Sequence, residues 1–365
     1  WRKGGKKEKE MTRITLNIAE YGKKAMVQMQ RALLLLLVVA GIGLNEASAQ
    51  GPNTSWNGSV SSDWFDADNW SNGVPGPGRR VTIGWVNAAN HMPVIDGVAI
   101  MQRLTMQSNN NSLTMLNGAQ LHVTDNFSIS NTSTLHAENA SIHVEGNFTS
   151  QGSINIQSGS VLVDGNLTIS GTVASTNFGT ADLTVNGSFS STGNTYYGDA
   201  TFNANGGFSV GDSQYFYLNG GILNINSASS LGGNLIVDQG AVVNVYESFN
   251  ISASSNFTLI DGTINFFGDA VVSGSGNFIV DGGTVNFEGN STFDGSGNFS
   301  VQEGDITFSG NSTFSGDAVV NAGSGSFYFG EEVNIIGGGT FNAEESEIIM
   351  DGATWSMNGG GSFDP

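Results

Sequence analysis

Three histidines, His122, His136 and His143, stand in a stretch otherwise dominated by Gly, Ser, Asn and apolar residues, and two of them sit 21 residues apart in matching surroundings, Leu121-His122-Val123 and Ile142-His143-Val144. Alternation turns both imidazoles outward between inward apolar neighbours, one above the other. Two imidazoles make half of a transition-metal site, but zinc needs at least a third ligand, so a solvated ladder is the plainer reading.

Carboxylates are plentiful. Asp281, Glu303 and Asp305, or Glu344, Glu345 and Glu347, offer the two carboxyl groups that glycoside hydrolysis requires. Most of them, however, occupy Asp-Gly or Glu-Gly positions, where a carboxylate accepts backbone N–H bonds and suits a turn. No pair stands apart from turn chemistry, so no catalytic residue is assigned. Asp261, Asp281, Glu303 and Asp305 are also the candidate metal ligands, because calcium accepts carboxylate and carbonyl oxygens in flexible geometry. The GGxGxDxUx calcium repeat is absent and the acids drift in register, so the expectation is no cofactor, with calcium as the alternative.

Aromatic residues cluster twice. The segment SWNGSVSSDWFDADNWSNGVPGPGRRVTIGW holds Trp56, Trp64, Trp70 and Trp85, four of the six Trp in the chain. They read either as a cap over the open end of a repeat array or as a platform on which sugar rings stack, and the cap is favoured because terminal repeats must be closed. Tyr215 and Tyr217 flank Phe216 in an interval of unusual length, which reads as an inserted loop where ligand contacts concentrate. Packed loop aromatics are the plain alternative.

The elements that position these residues are repeats. GNFIVDGGTVNFEGNSTFDGS, from Gly276, is followed at once by GNFSVQEGDITFSGNSTFSGD, ending at Asp317. Within one block Phe278 and Val280, Val285 and Phe287, and Phe293 alternate with polar residues, which predicts three short strands per 21-residue turn. Adding 21 lands on Phe299, Val301, Ile306, Phe308 and Phe314. Stacked turns give apolar columns and parallel strand pairs: an all-β parallel β-helix, or solenoid. Gly, Ser and Asn between the strands argue against a helical array. Strand starts at Phe127, Phe148, Leu167, Phe189, Phe208, Leu235, Phe257, Phe278 and Phe299, then Val320 and Phe341, predict about eleven turns, with one spacing of 27 between Phe208 and Leu235. Asn256, Asn277 and Asn298 also recur at 21 and predict a side-chain ladder.

Ahead of the repeats, residues 1–28 are basic and polar and read as a leader or upstream sequence. Residues 29–49 read as a secretory signal peptide, with Arg31, the apolar run from Ala32 to Leu44, and Ala47-Ser48-Ala49. Residues 50–103 form the Trp-rich cap and first strands, and 104–365 the repeats. The chain has no Cys, so an exported protein of this sequence must be held together without disulfides. From Gly51 onward 28 Asp and Glu face only Arg79, Arg80 and Arg103, a formal net charge of −25. Such a surface repels nucleic acid and anionic membrane. No Lys or Arg follows Arg103, which also removes a basic catalytic residue from the repeats.

Trp56, Gly58, Asp63, Trp64, Asn69, Trp70, Gly73 and Pro75, followed by Val81-Thr82-Ile83, resemble the opening segment of secreted β-helical surface proteins of Gram-negative bacteria. The Asn-Phe and Asp-Gly repeats are similar to those of adhesin and autotransporter-passenger solenoids. The resemblance implies a secreted or outer-surface protein without enzymatic activity, a rod-like adhesin or stalk, with carbohydrate or a host or neighbouring cell surface as partner and no insertion into membrane. The alternative is a carbohydrate-active protein, a polysaccharide hydrolase or a binding module. The chain departs from complete members in having no anchor, membrane barrel or sorting domain within its 365 residues. Its end at GGGSFDP, without a polar cap, reads as a truncation.

Overall fold

The structure, a computed structural model, describes residues 53–84, 91–107, 110–171, 176–252, 255–343 and 345–364. The leader and signal-peptide expectations, Trp85 and Glu344 lie outside the described residues. All of the described residues belong to one compact unit, Gln50–Pro365.

Short alternating strands wind into a parallel β-solenoid with three strands per turn. One face is a 15-stranded sheet running from Thr54–Ser55 to Trp355–Asn358. Fifteen strands at the usual spacing of about 4.8 Å make this face roughly 67 Å long, longer than eleven turns predict. The difference is at the ends, where Thr54–Ser55, Arg80–Ile83 and Arg103–Met106 already pair in parallel before Phe127. The other strands form a second and a third face, joined through the corner by two 11-residue strands, Thr134–Val144 and Ser153–Val163. Among the described residues the helical structure is the 3-10 turn Ala67–Asn69.

Each strand is half core. In Thr284–Phe287 the side chains alternate between half-buried and buried, with Val285 and Phe287 inward. Parallel pairing then sets like on like: Val285 with Ile306, Phe287 with Phe308. The Phe266, Phe287, Phe308 and Phe329 rings stack at 5.0, 4.9 and 4.9 Å with planes 5°, 3° and 3° apart. Burying each such ring contributes about 2 to 3 kcal/mol, and the column repeats it every turn. At the corners the backbones of successive turns close up. Gly283 has φ +87°, and a Cβ there would lie 2.5 Å from the Gly262 carbonyl oxygen.

One expectation about register is corrected. Phe127, Phe148, Leu167 and Phe189 pair along the first face, and the strand that follows them, Phe208–Val210, continues to Ser229–Leu231 at ordinary spacing. Leu235 belongs to the second face, where it pairs with Phe216 and Phe257. The 27-residue interval is therefore a step from one face to the next. Strands on all three faces carry buried apolar residues at alternate positions, so strands of different faces look alike in sequence.

Candidate functional site

Trp56, Trp64 and Trp70 come together at the start of the solenoid, where Trp56 and Trp70 form an antiparallel bridge. Trp64 meets Trp70 edge-on at 4.6 Å, and Trp56 meets Trp70 edge-on at 5.0 Å. All three rings are buried, Trp64 completely. Trp70 Nε1 donates to the Trp64 carbonyl oxygen at 2.8 Å, and Trp56 Nε1 to that of His91 at 2.9 Å. The buried Asn69 ties the loop: its Oδ1 accepts from the Val60 and Ser61 amides, and its Nδ2 donates to Ser61 Oγ and the Asp63 carbonyl. Rings packed this way are core and present no open face to a sugar.

Tyr215 and Tyr217 lie on a regular strand of the second face, Tyr215–Asn219, and not on an inserted loop. Phe216 between them points into the core. Tyr217 pairs with Tyr196 of the preceding turn, and their rings lie parallel within 2° at 4.8 Å. The Tyr215 ring lies 5.7 Å from that of Tyr217 at 17°. Tyr196 and Tyr215 are 37% and 38% exposed. Partial burial, with the neighbouring Tyr196 and Tyr215 phenols adding to it, raises the Tyr217 pKa, which keeps its hydroxyl protonated. A second exposed stack, Tyr246 on Phe267 at 5.0 Å, follows the third face. Its signal was present in the sequence, since the two residues are 21 apart.

His122 and His143 stack at 4.8 Å with planes 2° apart on the third face, while His136 pairs with Thr114 and Asn155 on the second. Each stacked imidazole meets a carboxylate one turn on: His122 Nε2 lies 2.9 Å from Glu145 Oε1, and His143 Nε2 2.8 Å from Asp164 Oδ2. The other Asp164 oxygen accepts from Asn186 Nδ2, and the chain continues through Asn205 and Asn226. Arg103 similarly reaches Asp125 at 2.6 Å. These diagonal partners are not visible from the 21-residue spacing alone.

Asp261, Glu303 and Asp305 are exposed and Asp281 half-buried. The Asp281 amide bonds the Leu259 carbonyl and that of Gln302 bonds Val280, so Asp281 is level with Ile260 and Gln302 rather than with another acid. Asp305 pairs with Thr284 and Ser326. Among the described residues no three His, Asp or Glu side chains converge to hold a metal ion. A small cavity lined by Phe293, Asp294, Asn298 and Val319 encloses about 10 Å³, the scale of one water.

Residues 55–201 match a family described as a domain of unknown function (DUF8693). No curated protein and no solved structure matches the chain.

Proposed function

We propose that this chain is an exported, non-enzymatic rod of the cell surface, an adhesin-type stalk, which works without a bound cofactor. The observation that carries the reading is how the outward polar residues are used. From Asn203 to Asn286, five asparagines on successive turns of the third face bond to one another at 2.8 to 3.0 Å. A second ladder joins Asn234, Asn256 and Asn277. Asn298 joins through its backbone amide, which donates to Asn277 Oδ1 at 3.2 Å. The faces thus serve to hold turn to turn, and stiffness along the coil is the property that results.

Hydrolysis of polysaccharide is the reading to test against it. The purified protein, incubated with neutral and acidic polysaccharides, is expected to release no reducing ends above background. Release that disappears in a carboxylate variant such as Glu303→Gln or Asp305→Asn would overturn the rod reading.

A further inference from the structure

The geometry points to a binding site for a neutral glycan on the second face, built from Tyr196, Tyr217 and Tyr215. The site is argued from its own geometry, so its failure would leave the rod reading above untouched.

Three observations carry it. The first is exposure: Phe residues inside the coil are fully covered, whereas Tyr196 and Tyr215 leave more than a third of their surface to solvent. Adjacent exposed aromatics on an otherwise polar repeat mark a contact surface. The second is geometry. Parallel rings with centroids 4.8 Å apart, wider than van der Waals contact at about 3.5 to 4.0 Å, form an offset stack, and Tyr196 and Tyr215 at its edge are more than a third exposed. The strands beneath are fixed. Thr195–Tyr197 pairs with strands on both sides, as does Tyr215–Asn219, so little order is lost on binding.

The third is the surrounding chemistry. Asn177, which is exposed, precedes Tyr196 in its column, and Ile236 follows Tyr217. Phenol rings for C–H groups, phenol hydroxyls and the Asn177 side-chain amide together match a sugar, which carries apolar ring faces and a rim of hydroxyls. Charge selects among glycans. No Lys or Arg follows Arg103 and the chain is strongly acidic, so anionic polymers are repelled and a neutral glycan is accepted.

The test is affinity electrophoresis of the full chain in gels containing hydroxyethyl cellulose, xyloglucan or galactomannan, with alginate as the anionic comparison. At least one neutral polymer should retard the protein and alginate should not. The Tyr196→Ala/Tyr217→Ala variant should weaken retardation by about tenfold or more, and Tyr246→Ala/Phe267→Ala, which removes the other exposed aromatic stack, should leave it unchanged. Tyr196→Asn/Tyr217→Asn, which extends the residue type of Asn177 along the column, serves if the Ala variant does not fold. Retardation by none of the neutral polymers, preference for alginate, or equal loss in both aromatic double variants overturns the proposal. Concentration-dependent self-association lost with the same tyrosines would also overturn it, assigning the patch to a second copy of the chain.

Discussion

Asn286 Nδ2 donates to Asn265 Oδ1 at 2.8 Å across one turn of the coil, while the next residue, Phe287, points the opposite way and stacks on Phe266 at 5.0 Å. Neighbours in sequence thus belong to two different columns. Phe287→Ala empties a packed interior site and should cost about 3 to 5 kcal/mol. Asn286→Ala removes one hydrogen bond at the end of its ladder and should cost about 1 kcal/mol. Denaturant unfolding of the two variants measures the difference, and equal losses would contradict this alternation.

Within the ladder, position matters. Asn244 donates to Asn224 and accepts from Asn265, so Asn244→Ala strands a partner on each side. Its cost should exceed that of Asn286→Ala, and a double variant with Asn224→Ala should be less than additive.

Gly283 and Gly240 separate two kinds of backbone cost. Both have positive φ, +87° and +72°, but a Cβ at Gly240 meets nothing within 4 Å, whereas one at Gly283 runs into the Gly262 carbonyl. Gly240→Ala should cost about 1 to 2 kcal/mol from the left-handed conformation alone. Gly283→Ala should cost clearly more, because the turns must also separate.

Alkaline pH should weaken the fold through Tyr197. Its hydroxyl is buried and donates to the Ala181 carbonyl at 2.7 Å, and burial raises its pKa far above the ordinary phenol value. Below about pH 10, the unfolded value, folded and unfolded chains both keep this proton. Above it the unfolded chain releases the proton and the folded chain does not, so stability falls as pH rises. Unfolding midpoints between pH 8 and 11 should drop in the native protein and less steeply in Tyr197→Phe. Identical slopes would remove Tyr197 from the explanation.

Chelation should leave the melting temperature unchanged, since Asp261, Asp281, Glu303 and Asp305 do not converge. A lowered melting temperature restored by calcium would show a bound ion contributing by mass action.

The inward set Phe278, Val280, Val285, Phe287 and Phe293 was legible because period-two alternation inside a 21-residue repeat determines both the facing and the pairing of each residue. The assignment of strands to faces was not, since Phe208 and Leu235 are both buried apolar residues at or next to a strand start yet lie on different faces. That ambiguity made Tyr215 and Tyr217 read as a loop. For the Trp segment, composition permits a cap or a platform, and only the burial of Trp56, Trp64 and Trp70 separates them. The acid partners of His122 and His143 were hidden because Glu145 and Asp164 lie diagonally, one turn on and two positions along.

Under the proposed function the solenoid is displayed on the cell surface. Antibodies raised against the repeats, applied to intact cells that make the protein, test it most directly. Labelling of unpermeabilised cells that is lost after external protease is the predicted result. Labelling that requires permeabilisation, with the protein recovered from the cytoplasm, would contradict it.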